Sequence, residues 1–97
     1  MRVEIHQVEG FDPNRRMFNR NAEIIRSGKG YYAAMNYEGQ QVQGVIFNTI
    51  EKAMQDLISN LQAKGFSKLR SRVNFKGQRY LAEREPWIDY PDLAKVK

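Results

Sequence analysis

An amphipathic stripe constrains this chain more than any other feature. Ile50, Ala53, Met54, Leu57, Ile58 and Leu61 recur at the period of an α-helix. Glu51, Lys52, Gln55, Asp56, Ser59 and Gln62 take the opposite side. The ends of the stripe carry stop signals. Asn48 is placed to act as N-cap, accepting a hydrogen bond from an orphan backbone N–H, with Glu51 three residues on. Gly65 falls where a helix exits through positive φ, a conformation that costs glycine nothing. Leu61 and Phe66 then form the apolar pair of a Schellman ending. A helix over about residues 49–64 with one apolar face must bury that face against a second layer.

The second layer is legible as strands. Tyr31, Ala33, Met35 and Tyr37 alternate with Tyr32, Ala34 and Asn36. Glu38-Gly39 is a turn, and the strand returns from Gln41 to Phe47. A two-residue turn sets Met35 opposite Val42, Ala33 opposite Gly44 and Tyr31 opposite Ile46. The small pair Ala33/Gly44 then leaves room for a helix to lie close. A three-residue turn would flip the faces of the return strand.

Upstream, Arg2 to Val8 reads as a short strand, with Val3 and Ile5 on one face and Glu4 and His6 on the other. Gly10 to Arg16 reads as a loop rich in turn residues. Met17 and Phe18 fold back on the core, and Ala22 to Ser27 forms a strand that turns at Gly28-Lys29-Gly30. Downstream, Leu69 to Phe75 alternates and turns at Lys76-Gly77 into Gln78 to Arg84, which sets Val73 opposite Tyr80 and Arg70 opposite Glu83. Pro86, lacking a donor, ends that pairing. Glu85 to Asp92 is an extended arm, and Leu93 to Lys97 frays. The expected fold is α+β: a mostly antiparallel sheet with the helix packed on one face, then a C-terminal β-hairpin and the arm. Residues 1–97 form a single domain, with 85–97 as the arm.

Composition removes several chemistries. The chain has no Cys and one His, which excludes a disulfide frame and a Cys/His zinc site and leaves a His-based triad resting on His6 alone. The carboxylate pairs Glu83/Glu85 and Asp89/Asp92 sit in polar segments without the burial that tunes a catalytic acid. Gly28-Lys29-Gly30 is too short for a phosphate loop and precedes a strand. No enzyme activity and no cofactor are expected. Without an apolar run of about 20 residues or a signal-type N-terminus, a cytoplasmic chain with no membrane contact is expected.

The net charge of +5 is concentrated. Residues 66–84 hold Lys68, Arg70, Arg72, Lys76, Arg79 and Arg84 against Glu83 alone. These six are the candidate nucleic-acid-binding residues: cations on one sheet face for phosphates, with Tyr80 or Trp87 to stack on bases. The competing reading is a solvated face that keeps the protein soluble and blunts an edge. Trp87, Ile88 and Tyr90 on the Pro-punctuated arm are the candidate protein interface, since aromatic residues dominate binding hot spots. Against that stands an arm that closes its own core, with the single Trp filling a gap beside the helix.

The middle of the chain also resembles a known family. Ile24-Ile25, Gly30-Tyr31-Tyr32-Ala33, Val42-x-Gly44 and Thr49-x-Glu51-x-Ala53 are similar to segments of HicB-type antitoxin domains, which share a β-β-β-α core. The resemblance spans residues 22–63. It implies the fold of that part and carries over no functional residue, because the family's Pro- and Cys-bearing segment and its C-terminal DNA-binding module have no counterpart here. The expected function is a small non-enzymatic binding domain. Its partner is another protein or a second copy, with a nucleic-acid module acting through 68–84 as the alternative.

Overall fold

The structure, a computed structural model, describes residues 2–76, 79–80 and 85–93. Its element order is β1 (Arg2–Phe11), β2 (Met17–Ser27), β3 (Gly30–Tyr37), β4 (Gln40–Gln43), α1 (Ile50–Ala63), β5 (Ser67–Lys76), β6 (Arg79–Tyr80) and β7 (Ile88–Asp89). The strands form one antiparallel sheet in the order β4-β3-β2-β1-β5-β6, with β7 also paired to β5. The helix lies on one face, over β3, β4 and β2. This is the α+β arrangement that the apolar stripe demands. Ala53, Met54, Leu57, Ile58 and Leu61 are all buried and meet Val8, Ala22, Ile24, Ala33, Met35 and Val42 of the sheet.

The helix ends as its sequence signals, and begins one residue later. Gly65 has φ 101°, its N–H donates to the Gln62 carbonyl, and the Phe66 N–H donates to the Leu61 carbonyl. That is the Schellman pattern. A β-carbon on Gly65 would meet Pro13 only at ordinary contact distance, 3.4 Å, so the cost of adding one is conformational. Gly65→Ala is expected to lower stability by about 1 kcal/mol, the left-handed penalty of a residue with a Cβ. Urea unfolding of the variant checks this, and an unchanged midpoint would contradict it. At the N-terminus the cap is Thr49, whose Oγ1 accepts the Lys52 N–H at 3.2 Å, and not Asn48. Glu51 is therefore at N2, where it favours the helix dipole without closing a capping box.

The same offset appears in the hairpin before the helix. Met35 pairs with Val42 and the Gly44 N–H donates to the Ala33 carbonyl, as the two-residue turn requires. Tyr31, however, bridges Phe47 rather than Ile46. One extra residue is accommodated between Gly44 and Phe47. Beside this offset the Val45 N–H, which points away from β3, donates to Asp56 of the helix at 3.0 Å. The helix passes so close to Gly44 that a β-carbon there would strike the Asp56 carboxylate.

The first hairpin is longer than its turn residues suggest. β1 runs to Phe11 and β2 starts at Met17, with Phe11 opposite Met17, so the loop is only residues 12–16. Gly10 is a strand residue whose bare Cα admits the neighbouring β5 backbone. From Glu4 onward β1 alternates regularly, but Val3 and Ile5 do not share a face. Val8 enters the core, while Ile5 pairs with Glu23 and Phe75, off the core cluster. His6 therefore turns to the helix side. A register shift between Arg2 and Glu4 lets Val3 still pack on the core. In the last hairpin Phe75 faces Tyr80 and Lys76 faces Arg79, two residues out of the expected register. Opposite Arg70 lies Asp89 of the arm. Glu83 and residues 94–97 lie outside the described residues.

Candidate functional site

Strand β5 brings part of the basic cluster together with the arm. Arg70 pairs with Glu9 and Arg72 with Gln7 in the ladder, which puts these four side chains on the face away from the helix. The Arg70 Nη2 lies 2.9 Å from Glu9 Oε1, and the Arg72 Nε donates to Gln7 Oε1 at 2.8 Å. Both guanidiniums also rest on the Trp87 ring, 4.5 and 4.2 Å from its centroid. Trp87 is thus held against two arginines on the open face and does not fill a gap beside the helix. Lys68 and Lys76 are exposed. The side chain of Arg79 and the whole of Arg84 lie outside the described residues. Two of the six candidate cations therefore already hold an aromatic ring and a hydrogen-bond partner.

The other two arm residues turn to the helix side. Tyr90 packs against the core cluster, and its hydroxyl shares a 2.8 Å hydrogen bond with Ser71 Oγ. Its backbone N–H donates to the Leu69 carbonyl. Ile88 stays 58% exposed, at the rim of an open cleft of about 300 Å³ that Met54, His6 and Ser71 also line. The floor of the cleft has its polar atoms in use, since His6 Nε2 lies 2.7 Å from Glu4 Oε1. The arm is further pinned by Gln62, donating to the Pro91 carbonyl, and by Asp92, accepting the Lys68 N–H. Trp87 and Tyr90 thus lie on opposite faces of the sheet, each against side chains of β5.

Asp12 organises the loop between β1 and β2. It is 2% exposed. Its Oδ1 accepts the backbone N–H groups of Asn14 and Arg16, and its Oδ2 accepts the Tyr37 hydroxyl at 2.7 Å and Arg16 Nε at 3.3 Å. Tyr37 in turn packs edge-on against Phe18 and Phe66. The Tyr37 hydroxyl, then the backbone N–H of Arg16, hold the Asp12 carboxyl below its ordinary value, and the same bond raises the Tyr37 hydroxyl. A carboxylate depressed in the folded state contributes stability above its unfolded value of 3.8 and loses it as pH falls through the lower folded value. Asp12→Asn is thus expected to lower the melting temperature at neutral pH, and the gap to the wild type should close as pH drops below 3.8. Parallel melting curves across that range would show that Asp12 is not the linked group.

The remaining feature is the edge of the sheet at β4. In an antiparallel ladder, alternate residues direct their backbone groups to opposite sides. Val42 and Gly44 face β3, so Gln41 and Gln43 direct theirs outward. Among the described residues no strand pairs with that side of β4. Two of the devices that blunt such an edge are absent, since residues 39–50 contain no charge and no proline; its shortness, four residues, remains. Beside the edge, Val45 and Ile46 are 65% and 55% exposed. At the other end of the sheet, β5 is flanked by β6, β7 and the Tyr90 and Asp92 contacts. Strand order, which makes β4 an edge, is not written in the sequence. The uncharged run between Glu38 and Glu51 was the available signal. No family model, curated protein or solved structure matches the chain.

Proposed function

We propose that this chain is a small protein-binding domain, without catalysis, that accepts an extended segment of a partner along the outer side of β4. The observation that supports this reading is the open, uncharged edge at Gln41 and Gln43 with Val45 and Ile46 exposed beside it. Main-chain groups of an edge strand supply affinity for any extended segment, and the neighbouring side chains supply selection. Tyr90 and Asp92 of the arm contribute indirectly, by bonding to β5 toward the other end of the described sheet. The HicB-type likeness of residues 22–63 adds no site residue.

The test is retention of proteins from the native cell by the purified chain, compared with a Gln41→Lys, Gln43→Lys variant. Charges on an edge discourage pairing. The variant is expected to keep its fold and lose most of the retained protein, with nuclease treatment making no difference. Equal retention by both would remove β4 from the interface.

One observation favours a second reading. Arg70, Arg72 and Trp87 converge on the open face, and an indole with guanidiniums beside it is a stacking platform for single-stranded nucleic acid. Under this reading, affinity for single-stranded RNA falls steeply with salt. Arg70→Gln with Arg72→Gln then flattens the slope by about one unit per lost contact. Retained material that is nuclease-sensitive, and lost with that pair rather than with the β4 variant, would favour nucleic acid over protein.

A further inference from the structure

We infer that the segment best matched to the β4 edge is β4 of a second copy, paired about a two-fold axis at Val42 to make one continuous sheet. The inference rests on the edge-binding reading above and names its partner.

Three observations carry it. The first is the pattern of available groups. Gln41 and Gln43 point outward, Gly39 sits in the turn at φ 82°, and the Val45 N–H is already taken by Asp56. Centring the two-fold axis on Val42 sets Gln41 of each copy opposite Gln43 of the other, so both outward residues exchange both bonds. Centring on Gln41 or on Gln43 satisfies only one of them. The capping of Val45 by Asp56 stops the strand where this register needs it to stop.

The second is side-chain chemistry. A two-fold antiparallel pair sets each strand against its own sequence, so any net charge on the strand meets the same charge. Like charges directly opposite destabilise a ladder. Residues 39–50 carry none. Gln41 and Gln43 already join through a 2.9 Å amide hydrogen bond on the open face, and amides can extend that bonding across the axis because each has donors and an acceptor.

The third is the charge of the whole chain. A net +5 opposes self-association, but Lys68, Arg70, Arg72, Lys76 and Arg79 lie on β5 and β6. These strands stand at the far end of the sheet from β4. Pairing through β4 therefore places the two basic segments at the outer ends of the double sheet. Near β4 itself the Glu38 carboxylate is matched by Arg16 at 2.7 Å. A four-residue edge is smaller than the roughly 800 Å² per partner typical of a stable complex, so the dimer is a weak, reversible one.

The experiment is sedimentation equilibrium of the full chain from about 10 μM to about 1 mM, the range in which a small interface of this kind associates. Amide exchange of Gln41 and Gln43 is read at both ends of the range. The expected mass rises from 11.4 kDa toward twice that value, and both amides slow at high concentration. Gln41→Lys with Gln43→Lys sets like charges across the axis and should stay monomeric throughout. Gln41→Lys with Gln43→Glu sets Lys opposite Glu in this register alone and should restore the dimer. Circular dichroism establishes that each variant is folded; Gln41→Arg with Gln43→Arg replaces the double-Lys pair, and Gln41→Arg with Gln43→Asp the Lys/Glu pair, should either fail. A monomer with fast Gln41 and Gln43 amides at 1 mM, or a dimer that the double-Lys variant keeps, overturns the inference. A monomer whose edge variant still loses retained cellular protein overturns self-pairing alone and leaves edge binding standing.

Discussion

Replacing Leu57 with Ala is expected to lower the stability of this domain by about 2–5 kcal/mol, the range for removing a buried Leu side chain and leaving its cavity behind. Leu57 has no exposed surface and sits mid-helix in the core cluster. The sheet cannot readily close on the vacated space, because Asp56 ties the helix to the Val45 amide and the Schellman turn fixes its other end. The upper part of the range is therefore expected. A domain of this size has total stability on the order of 5–15 kcal/mol, so the variant should show a large fall in the urea midpoint with an unchanged slope. Ser59→Ala, on the exposed side of the same helix, is the control and should stay within about 0.5 kcal/mol. A Leu57→Ala loss as small as the control's would place the apolar stripe against solvent and dismantle the core described above.

The second large effect is expected at Gly10. A β-carbon there would lie 2.7 Å from the Ser67 carbonyl oxygen, 2.9 Å from that of Lys68 and 3.0 Å from Leu69 Cδ2. Two of these atoms belong to the backbone of the adjoining strand and cannot rotate away. The ladder between β1 and β5 already shifts register between Glu9 and Phe11, and Lys68 is held at φ 53° beside it. Gly10→Ala must therefore part β1 from β5 at the start of β5. The expected cost is about 1–3 kcal/mol, that of overpacking a closed site. Faster exchange should follow at the amides of Leu69 and Tyr90, which share that corner. Gly28→Ala is the contrast, since a β-carbon at Gly28 meets nothing within 4 Å and only φ 60° resists it. If Gly10→Ala proved no more costly than Gly28→Ala, the close approach of the two strands would be refuted.

These two positions mark how far the residues alone could be read. Leu57 was legible because an amphipathic helix repeats its apolar face every three to four residues, a signal carried within one segment. Gly10 was misread as a turn residue. Its purpose lies in the backbone of Ser67 and Lys68, far away in sequence, and a glycine in a strand and a glycine in a loop look alike until the neighbouring strand is known. The same limit explains the aromatics of the arm. Trp87 and Tyr90 announced that they pack somewhere, but their opposite faces were set by strand alternation in β7, against Arg70 and Arg72 on one side and Ser71 on the other.

The candidate site shows the limit most clearly. A basic cluster and an aromatic arm are visible as residue types, but that Arg70, Arg72 and Trp87 meet on one face is a matter of strand register. The β4 edge drew no notice, since an edge is a property of strand order. What the sequence determined by itself is local: the helix and its glycine ending, the Glu38-Gly39 turn with Met35 opposite Val42, and the alternation of β3. Each depends on periodicity, capping or turn geometry within a few residues. The tertiary structure alone decided the one-residue offset at Val45, the length of the first hairpin, the position of His6 and which edge stays open. In several of these a group distant in sequence meets the backbone: Asp56 at Val45, and β1 and the arm at β5. Nothing in the local pattern of residues announces a contact of that kind.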